Sequence, residues 1–343
     1  MGRRGVARRL SRAGALLLLT ALLACQAGQQ QPADLMPDPG SGYPNARLLV
    51  DVHWLAENLD EPGLRVVDMR SADAYARGHV PGAVNVPVGQ IASTVDGIPL
   101  EFDHDKVQDT LNRAGIGPET TVVIYDNLGM MDAARFFWTL EYVGHGDVRL
   151  VDGGWNAWQA SGLPTETETP EVEPTTYPLR VDADKLATAD EVLARLHEPG
   201  VTIVDARSPQ EYTGEVALAE RGGHIPGAVN LVWLEALTGG DTVYTVDPRW
   251  RAELEDEDVE LLKPADEIQV LLDDLGLTPE QEVITYCHTL WRGAHVYYLL
   301  RLMGFEGVRG YDGSWAEWGN RSDLPVVTGP NPRGQESPAE PGQ

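Results

Sequence analysis

The chain repeats itself, and the repeat limits what it can fold into. "DMRSADAYARGHVPGAVNVPV" (68–88) returns as "DARSPQEYTGEVALAERGGHIPGAVNLVW" (205–233), with an insertion before the histidine. "TVVIYDNLGMMDAARFFWTLEYVGHGDVRLVDGGWNAW" (121–158) returns as "EVITYCHTLWRGAHVYYLLRLMGFEGVRGYDGSWAEW" (282–318). Each copy spans about 120 to 145 residues, enough for a domain to bury its own core. The expected organisation is a domain over 47–162 and a second over 183–327. The Pro/Thr/Glu-rich segment 163–182 links them, 25–46 precedes the first, and 328–343 trails behind; all three read as extended or disordered.

Within each copy, short β-branched runs alternate with stretches of helical period. "LRVVD", "TVVIY" and "VRLVD" in the first copy answer to "VTIVD", "EVITY" and "GVRGY" in the second, with "AARFFWTLEYV" and "AHVYYLLRLMG" between the later runs. That is the pattern of parallel strands joined by crossover helices, an α/β fold with a central sheet flanked by helices in each domain. In such sheets chemistry gathers at the carboxyl ends of strands. Cys287 stands at such an end, after a strand over 283–286 and ahead of a helix expected from Gly293, with Val296, Leu299, Leu300 and Met303 on its core face. The loop between, Cys287-His288-Thr289-Leu290-Trp291-Arg292, is expected to turn its backbone N–H groups and the positive end of the helix toward the sulfur. Such a cradle stabilises an anion, Arg292 adds a full charge, and the thiolate is the nucleophilic form of cysteine.

The other cysteine, Cys25, closes a leader. "MGRRGVARRLSRAGALLLLTALLACQAG" has five arginines and no acid ahead of an apolar run too short to span a bilayer, which needs roughly 20 residues. Residues 1–24 read as a secretory signal peptide. Leu22-Leu23-Ala24-Cys25 resembles the lipobox of bacterial lipoproteins, which makes Cys25 the lipidated first residue and the protein an exported one, anchored in the cell envelope. The plainer alternative is cleavage near Ala24 or Ala27 with Cys25 incidental. With Cys25 capped by lipid, Cys287 is left without a partner in an oxidising compartment, as a nucleophile or as a buried structural thiol. The formal charge of -27 opposes nucleic-acid binding and attraction to anionic membranes. A monomer touching the membrane only through its lipid is expected.

Over nearly its whole mature length the chain resembles the tandem-rhodanese sulfurtransferases. The resemblance is carried by the duplicated Gly-His-Val/Ile-Pro-Gly-Ala-Val-Asn segment, the paired Asp-x-Arg-Ser starts, the Asp-Gly-Gly-Trp and Asp-Gly-Ser-Trp endings, and a six-residue loop opened by cysteine in the second copy alone. It implies that Cys287 takes the outer sulfur of a small anionic donor, becomes a persulfide and passes the sulfur to cyanide or a thiol, with no cofactor and no metal. It also implies that His288, Thr289, Leu290, Trp291 and Arg292 form the substrate loop. Asp126 stands at the position of Cys287 in the first copy, in a loop one residue longer. A carboxylate carries no persulfide, so the first domain is expected to frame the site and not to catalyse.

Residues present in both copies point to structure. His79 and His224 are expected in a turn, Asp68–Arg70 and Asp205–Arg207 in buried ion pairs, and Trp155, Trp158, Trp315 and Trp318 in packing. Glu211 departs from relatives that place a cation there, and the acidic run 251–260 reads as a solvated insertion. Arg292 with His288 favours thiosulfate as donor, Leu290 and Trp291 narrow the mouth, and the Thr289 hydroxyl keeps 3-mercaptopyruvate as the alternative. Two other classes are weighed. Phosphatase or arsenate-reductase chemistry wants a Cys-x5-Arg cradle, whereas Cys287 to Arg292 is Cys-x4-Arg. A non-catalytic sulfur-binding module would have lost the cysteine loop in both copies.

Overall fold

Parallel strands buried on both faces need continuous apolar, β-branched runs, and the two copies supply them in the same order. The structure is a computed structural model that describes residues 1–2, 42–95, 98–101, 103–238 and 259–332. The leader with Cys25, residues 251–258 of the acidic run and the tail beyond 332 lie outside the described residues.

The first copy runs β1 (Leu49–Val50), α1 (Val52–Asn58), β2 (Leu64–Asp68), α2 (Ala72–Arg77), β3 (Val84–Asn85), a hairpin of β4 (Ser93–Val95) and β5 (Ile98–Glu101), α3 (His104–Arg113), β6 (Thr121–Tyr125), α4 (Met131–Tyr142), β7 (Val148–Val151) and α5 (Gly154–Ala160). The second runs β8 (Leu186–Ala187), α6 (Ala189–Arg195), β9 (Val201–Asp205), α7 (Pro209–Thr213), β10 (Val229–Asn230), α8 (Ala265–Asp274), β11 (Glu282–Tyr286), α9 (Trp291–Leu302), β12 (Val308–Tyr311) and α10 (Ser314–Trp318). The sheet orders β1-β7-β6-β2-β3 and β8-β12-β11-β9-β10 are the same topology, and every pairing in both is parallel. Both are the α/β sheets expected from the alternating runs. β6 and β11 are the central strands, so Asp126 and Cys287 each leave the middle of a sheet at its carboxyl end.

The helix after Cys287 begins earlier than the sequence suggests. α9 starts at Trp291 and not at Gly293, because Leu290, with φ 62°, turns the chain in the left-handed region and serves as the N-cap. Met130, with φ 65°, does the same before α4. Asp126 is separated from its helix by four residues and Cys287 by three, so the first loop is one residue longer, as the sequence spacing implies.

α9 is buried nearly all round, beyond the expected core face, because α4 of the first copy covers what the sheet does not. One apolar cluster accordingly joins Phe136, Phe137 and Trp138 to Tyr297, Tyr298 and Leu302. Polar pairs fix the contact: Tyr297 Oη donates to Glu141 Oε2 at 2.5 Å, Arg301 pairs with Glu141 at 3.1 Å, and Arg135 pairs with Asp312 at 2.6 Å. Gly310 in β12 is a close approach, since a Cβ there would lie 2.7 Å from the Trp138 Nε1 of the first copy. Both copies are parts of one compact unit. The segment 163–182 is extended but tied down: Glu166 bridges to His79, Thr175 Oγ1 donates to the Ile116 carbonyl at 2.7 Å, and Tyr177 is buried.

Candidate active site

The strand ends are braced before any loop is added. In the second copy the buried Asp205 carboxylate accepts from Arg207 Nε and Nη2 (2.9 and 2.6 Å) and from Tyr286 Oη (2.6 Å), the residue just before Cys287. Asp68, Arg70 and Tyr125 repeat this in the first copy, with 3.0, 2.6 and 2.6 Å. These are the ion pairs expected from their recurrence. His79 and His224 are fully buried, stack on Tyr75 and Tyr212 at 3.7 Å, and bond the carbonyls of those tyrosines, while the four tryptophans are buried packing.

The Cys287 thiol is free and 1 % exposed. Its loop is latched to the start of α10: Trp315 N–H donates to the Cys287 carbonyl at 3.0 Å and Ala316 N–H to that of His288 at 2.9 Å. Ser314 Oγ accepts from Cys287 N–H at 3.3 Å and Leu290 N–H at 3.0 Å, and donates to the Tyr311 carbonyl at 2.7 Å. Two loop amides expected around the sulfur are therefore held by a serine. The amide cradle is seen whole in the first copy, where Asp126 Oδ1 accepts from Leu128 and Met130 N–H (2.9 and 3.0 Å) and Oδ2 from Ala133 N–H (2.9 Å). Burial raises the Asp126 carboxyl above its ordinary value, and those N–H groups pull the other way.

Ser314 sits in the left-handed region, φ 49°, where the first copy has Gly154 at φ 50°. A Cβ on Gly154 would collide with the Asp126 carbonyl, so a side chain has room only beside the shorter loop. Sequence reading missed Ser314. Its signal was the change from Asp-Gly-Gly-Trp to Asp-Gly-Ser-Trp between copies.

The charges at the mouth differ from expectation. Arg292, in the first turn of α9, gives Nη1 and Nη2 to Glu211 at 2.6 and 2.9 Å, a bidentate pair. Burial alone would push the Glu211 carboxyl up, but facing Arg292, Arg207 and the Ser208 N–H it falls to about 2. Burial opposes charge on Arg292 as well, and Glu211 more than offsets it, so the guanidinium is charged but neutralised. His288 is not the expected cation: burial, then repulsion from Arg292, holds it down to about 4, neutral near pH 7. Thr289 and Arg292 are half-buried beside Cys287 with His288, whereas Leu290 and Trp291, expected at the mouth, are buried in the main cluster. Trp291 lies under the Arg135 guanidinium of the first copy at 5.2 Å. β5 of the first copy runs beside α10, so the non-cysteine half flanks the site. Among the described residues no group of three His, Cys, Asp or Glu side chains is placed to hold a metal.

The sequence matches the family model described as a rhodanese-like domain twice, over residues 51–161 and 188–321. It is 36 % identical over 280 residues to a thiosulfate sulfurtransferase of Azotobacter vinelandii, covering 81 % of this chain and 96 % of that one. It is 34 % identical over 304 residues to the sulfur carrier protein TtuD of Thermus thermophilus, covering 84 % and 99 %. Among solved structures, that of YnjE superposes with a TM-score of 0.71 at 27 % identity, over 84 % of this chain and 71 % of that one.

Proposed function

Because the chain belongs to the rhodanese family, we propose that it is a thiosulfate sulfurtransferase in which Cys287 carries the transferred sulfur. One observation carries the reading: the single described thiol ends the central strand of one copy, at a position the other copy fills with a carboxylate. The Cys287 thiolate attacks the outer sulfur of thiosulfate, a Cys–S–S bond forms, and sulfite leaves with the electron pair of the broken S–S bond. An acceptor then attacks the outer sulfur: cyanide leaves as thiocyanate, a thiolate as a persulfide, and the Cys287 thiolate is returned. A thiol 1 % exposed suits a donor as small as thiosulfate.

A second donor is favoured by one feature. With Arg292 neutralised by Glu211 and His288 uncharged, the mouth offers little net charge to a dianion. The monoanion 3-mercaptopyruvate suits such a mouth, and Thr289 supplies a hydroxyl.

Intact mass after incubation with thiosulfate, with 3-mercaptopyruvate and with no donor tests both. The expected result is one added sulfur, removed by cyanide and mapped to Cys287, and dependence on the donor sets the preference. No added sulfur from either donor would remove the sulfurtransferase reading.

Export and a lipid on Cys25 complete the proposal. Their support is the arginine-rich apolar leader and the Leu-Leu-Ala-Cys motif. Cys25→Ala is expected to move the protein from the membrane to the soluble fraction with activity retained; wild-type protein found wholly soluble would exclude the anchor.

A further inference from the structure

The first copy keeps an open version of the place that Glu211 and Arg292 close in the second. A cavity of about 230 Å³ lies there, lined among others by Arg70, Ser71, Arg77, Asn127, Trp155 and Asn156. It is the counterpart of the catalytic mouth: Arg70 stands for Arg207, Asn127 for His288 and Trp155 for Trp315. Three differences change its charge. Ala74 replaces Glu211, Arg77 replaces Gly214, and Asp132, buried and outside the lining, replaces Arg292.

The cavity lining contains no carboxylate, in a chain with 53 acidic and 26 basic residues. Of the acids adjoining the lining in sequence, Asp68 is buried and paired with Arg70, Asp73 is exposed and outside the lining, and Asp126 is 1 % exposed and turned inward onto backbone N–H groups. Arg77 is exposed and makes no ion pair with a described residue. The Arg70 guanidinium lies 3.9 Å over the Trp155 ring and uses Nε and Nη2 on Asp68 and the Gly78 carbonyl, which leaves Nη1 without a described partner. Guanidinium, amide and hydroxyl groups thus converge on a space of roughly eight water volumes.

We infer that this cavity is a second anion site, which binds a sulfur oxyanion such as sulfite, sulfate or thiosulfate. Guanidinium groups bind oxyanions through charge-assisted hydrogen bonds. A fully deprotonated oxyanion presents acceptors only, which matches a lining rich in donors, and with its waters it fits the volume. Only the choice of sulfur oxyanions rests on the proposed activity; the geometry and charge of the cavity do not.

Calorimetric titration of full-length Cys287→Ser protein at fixed ionic strength tests this, with sulfate, which donates no sulfane sulfur, as the main probe and phosphate as the rival. Saturable sulfate binding is expected, weakened at least tenfold by Arg77→Ala or Asn127→Ala, partly restored by Arg77→Lys, and unchanged by Arg292→Ala. Absence of saturable binding, or binding indifferent to Arg77→Ala, would overturn the site. Phosphate bound as tightly as sulfate, with the same Arg77 dependence, would overturn the assignment to sulfur oxyanions. Sulfate cannot load Cys287, so a failed persulfide assay and a failed titration are separate results.

Discussion

Cys287 and Asp126 share one position in two copies of a fold, and their substitutions are expected to part company. Cys287→Ser should abolish transfer from every donor while the protein stays folded, since serine nearly keeps the volume and a buried hydroxyl costs about 1–3 kcal/mol. Sulfur transfer by the folded variant would sink the assignment. Asp126→Ala should keep turnover within about a few-fold yet lower the urea midpoint, because Leu128, Met130 and Ala133 N–H lose their acceptor at about 1–3 kcal/mol for each buried group left unpaired. Glu211→Gln separates charge from structure. Glutamine at that position preserves the capping box with Ser208 but frees the Arg292 charge, so the KM for thiosulfate should fall about tenfold, equivalent to about 1.4 kcal/mol, with kcat changed less. An unchanged KM would mean that the Glu211–Arg292 pair does not govern donor capture. The place of Cys287 at the end of a central strand was legible from the sequence because the duplication puts Asp126 at the same place in the first copy. The Glu211–Arg292 pair was not, because its partners are 81 residues apart and only folding brings α7 to the start of α9.

At the level of elements, the strands announced themselves and the helix starts did not. β2, β6, β9 and β11 coincide with the runs LRVVD, TVVIY, VTIVD and EVITY, since a strand buried on both faces has to be apolar along its length. The two-residue edge strands carry too little pattern to be read. The start of α9 was misplaced because a leucine in left-handed backbone leaves no mark in propensity, whereas a glycine would have. Between elements, the Arg135–Asp312 pair sets α4 against the turn that leads into α10, with side chains 3 % and 8 % exposed. Asp312→Ala strands a buried guanidinium and should cost about 3–5 kcal/mol by urea unfolding. Pairing it with Arg135→Leu should recover much of the loss. If Asp312→Ala alone is neutral, the pair contributes nothing to the joint between the copies.

For the molecule as a whole, acid is expected to be destabilising, and the sign follows from burial. Burial holds His145, His224, His288 and His295 below their ordinary value, the last two to about 4. The unfolded chain therefore binds more protons as pH falls from the ordinary histidine value of about 6.5, and stability drops until the folded state protonates near pH 4. Glu211, at about 2, extends the loss from its ordinary range of about 4.5 down through pH 2. Asp152, raised to about 6 chiefly by burial, acts in the opposite sense between pH 6 and its ordinary value, and Asp126, raised by burial, acts in the same sense as Asp152. With four histidines against two carboxyls, the melting temperature should fall between pH 7.5 and 5, and His295→Leu should flatten the slope. A slope untouched by that change would remove His295 from the account. The unequal loops that follow β6 and β11 also bear on what it would take to build a second centre in the first copy. A cysteine at position 126 would supply a thiol but neither the shorter path to α4 nor the serine that Gly154 has no room to become, so building a second reactive centre there would take a deletion and two substitutions together.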